Sequence, residues 1–403
     1  MGHVEIRMLE TKDIEASLEL SQFAFQFKKT KQELGEIRER WEQEPSVRWG
    51  VFVDGELAAQ LAVLTLHSYV GGQRYAMGGV AGVATWPEYR RQGFVSELLR
   101  TALLHMKEQG QSISFLHPFA VGFYRKFGWE LYTDNKKYKM EAALLPRRES
   151  YPGKVERHND NSALLNEIYD AYARQYNGML ERTEFWWKHR IKARKPGQAA
   201  VYFDAQGTPQ GYTIYDVMNK TLSVHEIVPL TEEARRALWS FLGQHDSMID
   251  RAEAVVPVDD TLAFTLPNPR IKQEIEPYFM ARIVDAAAFL AQYSFTALED
   301  ANKERSIVIE LEDAHAPWNA GSYSLDLLAD GSARVNRCDS EELRNNEGQL
   351  RIQTDIGSLT AMLLGYVRPL ELLKQGRISG DELSVRLFET AIPVKTPFLL
   401  DFF

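Results

Sequence analysis

Cysteine is almost absent from this chain, which has one, Cys338, among its 403 residues. A single cysteine excludes an intrachain disulfide, so packing and hydrogen bonds must hold the fold together. This composition fits the reducing environment of the cytoplasm, where we expect the protein to reside. No reactive setting is recognisable around Cys338 in the sequence, and we expect a structural or surface thiol there rather than a nucleophile.

Long apolar runs and an excess of basic charge are also missing. No run reaches the roughly 18–20 apolar residues that cross a bilayer, and the first residues, MGHVEIRMLE, lack the apolar segment of a signal peptide. The 47 basic and 56 acidic residues give a net charge of −9. An acidic chain is a poor general binder of nucleic acid, and its charge weakly favours cationic small molecules.

The order of predicted elements indicates three α/β (α+β) regions. Residues 4–140 alternate between strand and helix patterns, and a linker containing proline and glycine follows near residues 146–153. The order of helices, hairpin, strand, proline and helix then recurs, and beyond residue 285 the pattern changes again. We therefore predict domains at residues 1–148, 149–285 and 286–403.

The most informative stretch is VATWPEYRRQGF, residues 83–94, followed by the helical pattern VSELLRTALLHM. A strand, a turn and a helix in this order build an anion pocket, because the first N–H groups of a helix are unpaired and lie at the positive end of its dipole. Gly93 lets the backbone approach a phosphate closely, and Arg90 and Arg91 add charge. A charged turn before a surface helix is the alternative. The surrounding pattern favours a site for a cofactor that carries a pyrophosphate.

The corresponding turn of the second region has a different character. It reads PLTEE, residues 229–233, in which Thr231 is typical of a helix N-cap. Glu232 and Glu233 would repel a phosphate at that position. We therefore expect a structural copy that binds no cofactor, and one cofactor site per chain.

Three glycines interrupt the strand pattern GGVAGVAT at residues 78–85. Glycine weakens a strand, so close packing or a β-bulge could account for them. The functional interpretation is an exposed backbone edge that pairs with the amides of a ligand arm such as pantetheine.

The segment HPFAVGFYRKFGWELY contains Tyr124 after a predicted buried strand. A tyrosine hydroxyl in this position can donate a proton to a departing thiolate, although amphipathic packing is the alternative for any of the 17 tyrosines. His117 is expected to be structural rather than a base.

Aromatic residues on the first two predicted helices are interpreted mainly as core. Some of them could instead line an acceptor pocket, where ring faces attract ammonium groups. These residues are Phe23, Phe25, Phe27 and Trp41.

Residues 80–99 resemble the acetyl-CoA site of the GNAT N-acetyltransferases. The motif is similar to the family's Gln/Arg-x-x-Gly-x-Gly/Ala, with Arg90 and Gly93 in place and a departure at Val95. The whole chain resembles the Eis type of this family in its two successive GNAT-like regions, its FYRKFGW segment, its third region and its terminal phenylalanine. This resemblance implies two tandem GNAT-like mixed-sheet domains followed by a domain like sterol carrier protein.

The resemblance also implies acetyl-CoA as cosubstrate, no metal, and specific site residues. The segments that match the family's cofactor contacts are Val83, Ala84, Thr85, Arg90, Arg91, Gln92, Gly93, Phe94, Val95, Ser96, Phe119 and Ala120. By the same resemblance, Tyr124 is the proton donor, and the terminal carboxylate of Phe403 is the general base, folded back into the first domain. Members of the family form hexamers and acetylate several amines of aminoglycosides, so a homo-oligomer is expected.

A terminal carboxylate is chemically suited to this task, because it can accept the proton that an ammonium group must lose before it attacks a thioester. The apolar tail FLLDFF would anchor it, although the tail could also be a final packed strand. We expect transfer of acetyl to primary amines of a polycationic small molecule, such as an aminoglycoside or a polyamine. The alternatives are acetylation of protein lysines or N-termini, and a non-catalytic protein that binds acetyl-CoA or lipid.

Overall fold

The computed structural model describes residues 3–159, 161–297, 305–338 and 350–403. Seventeen strands occur in these residues. They are β1 (Val4–Met8), β2 (Ser46–Val53), β3 (Glu56–Val70), β4 (Gln73–Thr85), β5 (Ile113–Leu116), β6 (Glu130–Glu141), β7 (Lys154–Arg157), β8 (Gln198–Phe203), β9 (Pro209–Met218), β10 (Thr221–Pro229), β11 (Arg251–Val256), β12 (Lys272–Ile283), β13 (Arg305–Glu312), β14 (Gly321–Leu327), β15 (Ala333–Cys338), β16 (Leu350–Asp355) and β17 (Ile378–Gly380).

The helices cover the faces of the sheets. They are α1 (Ile14–Ala24), α2 (Lys31–Trp41), α3 (Phe94–Glu108), α4 (Val121–Arg125), α5 (Ser162–Ala173), α6 (Glu184–Trp186, continued by the π-helical Trp187–Ile191 and by Lys192–Arg194), α7 (Glu232–Gly243), α8 (Leu262–Thr265), α9 (Ala286–Gln292), α10 (Ile356–Leu364), α11 (Pro369–Lys374) and α12 (Glu382–Ala391). Short 3-10 turns occupy Thr11–Asp13, Pro87–Tyr89, Ala142–Leu144 and Asp246–Met248. None of the helices in the described residues has both the length and the apolar character needed to cross a bilayer.

Local sequence signals account for many of these boundaries. Asp54 and Gly55 both have positive φ, 50° and 89°, and form the hairpin turn between β2 and β3. Asp355 caps α10 by accepting a hydrogen bond from the Ser358 N–H at 2.8 Å. Along α3 the inward residues recur at helical spacing and are buried: Leu98, Leu99, Ala102, Leu103 and Met106.

One mixed sheet of twelve strands runs through the first two regions, in the order β1-β2-β3-β4-β5-β12-β6-β11-β10-β9-β8-β7. The late strand β12 lies between β5 and β6, antiparallel to both. The first region therefore completes its sheet with a strand from the second, and β6 joins the two halves. The sequence predicts two separate strands near residues 129–131 and 137–142, and this is wrong, because β6 is continuous.

A second sheet, β15-β14-β13-β16-β17, belongs to the third region. A buried ion pair connects this region to the first sheet: both Asp313 oxygens accept from Arg282 Nη2, at 2.6 and 2.8 Å. The Arg282 guanidinium also donates to the carbonyl of Phe127, just before Gly128. Cys338 ends β15 and is half-buried.

Candidate active site

Strands β4 and β5 separate at the position where the sequence places the cofactor. They pair in parallel from Met77 opposite Ile113 to Val80 opposite Leu116. β5 ends there, whereas β4 continues to Thr85 with its other edge on β3. The β5-facing backbone edge of residues 81–85, including Val83, Ala84 and Thr85, is therefore open beyond Leu116.

A β-bulge accompanies this separation. The β3–β4 register shifts between Gln60, opposite Ala84, and Ala62, opposite Ala81. Gly82 within the bulge has a φ of 61°, a conformation that favours glycine. The Thr85 hydroxyl is buried and has no hydrogen-bond partner in the described structure. An open strand edge with an unsatisfied hydroxyl fits a ligand arm that carries amides.

The turn after β4 prepares an anion site. Gly93 is the N-cap of α3 with a φ of 87°, and a Cβ built there would meet no atom within 4 Å. The first hydrogen bond of the helix is donated by Glu97 N–H to the Gly93 carbonyl at 3.1 Å. No described group accepts a hydrogen bond from the N–H groups of Phe94, Val95 and Ser96, which therefore remain available at the positive end of the dipole.

Arg90 and Arg91 supply further positive charge at this turn. Both side chains are exposed, and neither forms an ion pair with a residue in the described ranges. Arg91 has a φ of 64°, so this turn holds a left-handed conformation without glycine. The Gln92 side chain donates to the Glu88 carbonyl at 3.1 Å and so holds the turn together. The donor set suits a pyrophosphate.

Tyr124 lies on α4 beside the point of strand separation. Its side chain is 2% exposed and belongs to the same buried cluster as Val80 and Leu116. Burial raises the pKa of the Tyr124 hydroxyl, so the group stays protonated at neutral pH. The described part of the chain offers this hydroxyl no hydrogen-bond partner. The Tyr124 hydroxyl can therefore donate its proton to a ligand without first breaking a hydrogen bond within the protein.

Phe119 and Ala120 lie immediately before α4 and are exposed. The Phe119 ring is 69% exposed and lies 5.2 Å from the Tyr124 ring, measured between centroids. Such an apolar surface next to the strand separation can cover a cofactor arm.

Helix α7 of the second region corresponds to α3, but side chains of its own first turn already cap and surround its N-terminus. The Thr231 hydroxyl accepts from the Ala234 N–H at 3.1 Å, as the sequence predicts for an N-cap. Glu232 pairs with Arg235 at 2.7 Å, and Glu233 accepts a hydrogen bond from the Tyr202 hydroxyl. Two carboxylates at this end of α7 leave it unsuited to a phosphate.

The C-terminal tail returns to the first region. The Phe403 ring lies 5.0 Å from the Phe279 ring of β12 and 6.3 Å from the Trp186 ring, centroid to centroid. A Cβ added to Gly79 would be 2.8 Å from Phe403 Cε2. The last residue therefore packs against β4 next to Val80, where the two strands begin to separate.

A buried ionic network fixes this tail. Asp401 is 1% exposed and accepts hydrogen bonds from Arg182 Nε at 3.0 Å, Trp186 Nε1 at 2.8 Å and the Tyr169 hydroxyl at 3.0 Å. Arg182 also donates to both oxygens of Glu226, at 2.6 and 3.1 Å. Burial alone would raise the pKa of Glu226, but Arg182 and Lys195 lower it to about 2.

Backbone contacts complete the anchor of the tail. Lys195 Nζ donates to the Leu400 carbonyl at 2.7 Å, and the Tyr278 hydroxyl donates to the Asp401 carbonyl at 2.9 Å. No local pattern in the sequence predicts that Asp401, Arg182 and Glu226 form a network. The only signal was one charged residue inside the apolar run FLLDFF.

Several cavities adjoin α6, and two of them share two arginine side chains. Cavity A, about 650 Å³, lies between α1, α2, the β3–β4 bulge and α6. Cavity B, about 580 Å³, lies between β6, β11, α6 and residues 399–402 of the tail. Arg190 and Arg194 line both cavities, so the spaces lie on either side of these two side chains.

The aromatic residues near cavity A correct one prediction. Phe23, Phe25 and Phe27 are 49%, 50% and 37% exposed, so the interpretation of this cluster as mainly core is wrong. Phe27 and Trp41 instead line cavity A. His117 packs against three rings, among them Phe402 at 4.9 Å between centroids, and forms no hydrogen bond or ion pair with the described residues, in keeping with a structural role.

Comparison with known proteins matches all three regions. Two acetyltransferase (GNAT) domain families match residues 5–132 and 178–283, and a sterol carrier protein domain family matches residues 286–400. The chain belongs to the GNAT acetyltransferases and has the Eis-type arrangement. The predicted fold class and the assignment as an enzyme are thereby confirmed. GNAT domains imply use of acetyl-CoA, whereas the exact domain limits at 148 and 285 stay predictions.

Individual relatives agree with this assignment. An uncharacterized N-acetyltransferase of Streptomyces griseus is 27% identical over 325 residues, which is 72% of this chain and 76% of that protein. A probable N-acyltransferase of unknown function from Enterococcus faecalis has 26% identity and a TM-score of 0.90, with both chains covered fully. Eis1 from Mycobacterium abscessus, at 23% identity and a TM-score of 0.79 over 100% of both chains, shares the fold.

We expect Arg182→Met to destabilise the protein strongly, because Glu226 and Asp401 would lose the cation they share. Breaking a buried ion pair from one side costs about 3–5 kcal/mol, so the free energy of unfolding in urea should fall by that amount. Arg38→Met, which removes an exposed pair with Glu15, is the matched control and should change stability little. Equal effects of the two variants would contradict the anchoring role.

Proposed function

We propose that the chain transfers the acetyl group of acetyl-CoA to a primary amine at the point where β4 and β5 separate. One observation carries this proposal: the open edge of β4 begins directly after Val80, Val80 and Tyr124 belong to one buried cluster, and the Phe403 ring packs on the adjacent Gly79. Acetyl transfer requires a bound acetyl donor, a general acid and a general base, held close together. The open strand edge, Tyr124 and the terminal carboxylate could fill these three roles.

The cofactor would be held by backbone more than by side chains. The edge of Val83–Thr85 pairs with the amides of the pantetheine arm, and the free N–H groups of residues 94–96 bind the pyrophosphate. Arg90 and Arg91 add charge to this contact. Phe119 and Ala120 cover the arm from the side of α4.

When bound, acetyl-CoA supplies the thioester carbon that the amine attacks and the thiolate that leaves. The Phe403 carboxylate accepts a proton from the substrate ammonium, directly or through a water molecule, and so produces the neutral nucleophile. The Tyr124 hydroxyl donates its proton to the departing sulfur. A new C–N bond replaces the C–S bond. After the attack the nitrogen loses a second proton, which restores the Tyr124 phenol, and the carboxylate releases the first proton to water.

The net charge of the chain favours a polycationic acceptor such as an aminoglycoside or a polyamine. That expectation, the cytoplasmic location and the homo-oligomer, a hexamer in related enzymes, stay predictions. That charge is unevenly distributed, because the charged residues that line cavities A and B are mostly cationic.

Replacement of Tyr124 by Phe should lower kcat about 10²-fold, since general acid catalysis contributes at least this much. The KM for acetyl-CoA should stay unchanged, because the hydroxyl acts on the leaving group. Steady-state thiol release measures both constants. Tyr89→Phe, which removes a hydroxyl near the cofactor turn, is the control, and an unaltered kcat in Tyr124→Phe would remove its assigned role.

Extension of the chain by two glycines after Phe403 should lower kcat about 10²-fold, because the carboxylate is moved away from its position. Phe403→Leu keeps a terminal carboxylate at the same chain length and should retain most of the activity. Turnover of the extended protein at the wild-type rate would contradict the proposal that the terminal carboxylate is the base.

Arg91→Ala should raise the KM for acetyl-CoA about tenfold without altering kcat. A hydrogen bond to a charged group contributes about 1.5–3 kcal/mol, and 1.4 kcal/mol corresponds to a factor of ten. Arg100→Ala is the matched control, because this exposed arginine lies on α3 and pairs with Glu97. An unchanged KM in the double variant Arg90→Ala/Arg91→Ala would contradict the pyrophosphate assignment.

A further inference from the structure

The two cavities beside α6 carry positive charge, although the chain as a whole is acidic. Cavity A is lined by one carboxylate, Glu44, and by five cationic side chains: Lys29, Arg40, Arg48, Arg190 and Arg194. Cavity B is lined by Glu253 and Asp401, and by Lys137, Lys139, Arg190, Arg194 and Lys195. The excess of cations in both spaces is opposite in sign to the net charge of −9.

Carboxylates outside the two linings neutralise part of this excess, because Lys29 pairs with Glu33, Lys137 with Glu276, Lys139 with Glu274 and Lys195 with Glu226. The carboxylates within the linings offset little of what remains. Glu44 is shared by Arg48 and Arg190, each of which forms an ion pair with it. Asp401 is turned into the protein and is occupied by Arg182. A ligand in these cavities therefore meets cations whose charge is only partly balanced.

Arg194 lies between the two cavities and lines both of them. It forms no ion pair or hydrogen bond with the residues that the structure describes, and its guanidinium lies 4.6 Å from the centre of the Phe402 ring. Arg190 is four residues away on the same helix, so the two side chains lie on one face of α6. Arginine in such a position is suited to a carboxylate or a phosphate, which it can bind through two hydrogen bonds.

Cavity A also contains a group that can accept a hydrogen bond from a substrate amine. Gln60 lines cavity A and is 4% exposed. Its amide nitrogen donates to Ser21 Oγ at 2.8 Å and to the Ser17 carbonyl at 3.2 Å, and these contacts fix the orientation of the group. Its amide oxygen is buried without a hydrogen-bond partner among the described residues. Gln60 on β3 lies opposite Ala84 on β4 at the bulge. Its side chain is therefore attached next to the open strand edge that is proposed to bind the cofactor.

We propose that the acceptor is a small amine that also carries a carboxylate or a phosphate. Arg190 and Arg194 bind the anionic group, and the Gln60 amide oxygen accepts a hydrogen bond from the amine. Polycations are disfavoured, because their ammonium groups would face these arginines. The inference rests on the proposed acetyl transfer to an amine and specifies which amines are accepted.

Two sets of matched compounds test this preference. Glucosamine and glucosamine 6-phosphate differ by one phosphate, while butylamine, 4-aminobutyrate and putrescine share a four-carbon chain. We measure binding to the full chain by calorimetry in the presence of CoA, and kcat/KM for acetyl transfer with acetyl-CoA. The compound with the anionic group should bind at least tenfold more tightly in each set, and putrescine should bind most weakly.

Variants of α6 connect the preference to the arginines. Arg194→Glu should abolish the tenfold advantage of the anionic compounds and improve binding of putrescine, and Arg194→Lys should retain part of the advantage. Lys188→Glu introduces the same charge change on α6 but lines neither cavity, so its preference should match the wild type. The affinity for acetyl-CoA should stay the same in all three variants.

The outcomes separate this inference from the proposed function. Tight binding of the anionic amines without any acetyl transfer would overturn the proposed function and leave the assignment of the arginines standing. Efficient transfer to putrescine, with no advantage for the anionic compounds and no effect of Arg194→Glu, would overturn the inference and leave acetyl transfer standing.

Discussion

The contact of Arg182 with Asp401 and Glu226 is the interaction on which the candidate active site depends. A guanidinium and two carboxylates without solvent are stable together only if each finds its partners, and here they do. Arg182 comes from the second GNAT domain and Asp401 from the chain end, and the Phe403 ring lies on β4 of the first. The second domain, whose own phosphate position is blocked by Glu232 and Glu233, thus contributes by holding the tail.

The shared sheet explains why such a tail can reach β4. Because β12 lies between β5 and β6, strand β5 at the candidate cofactor position is supported on its other side by a strand of the second domain. The ring of Phe279 on β12 packs against the ring of Phe403. The separation of β4 and β5 is therefore bounded by residues of both GNAT domains and by the chain terminus.

Sequence patterns predict the local parts of this site well. The strand, the turn and the helix around Gly93, the cap at Thr231 and the hairpin at Asp54 each depend on residues close together in the chain. The insertion of β12 depends on pairing between segments more than 130 residues apart (Ile113 with Ile283), and no local pattern contains that information. The continuity of β6 was missed for the same reason, since its partners are β11 and β12.

For a related reason, the positive charge of cavities A and B could not be predicted from the sequence. Net charge describes the whole chain, whereas an acceptor meets only the side chains that folding gathers around it. Arg48, Arg190 and Arg194 come from a strand and from a helix of different domains, and nothing in their neighbourhoods marks them as one group. Of the aromatic residues that were predicted to be mainly core, Phe27 and Trp41 line cavity A together with these cations, whereas Phe23 packs on Trp86. The charge of the candidate acceptor cavities is thus set by the tertiary arrangement, whereas the proposed cofactor turn could be predicted from twelve consecutive residues.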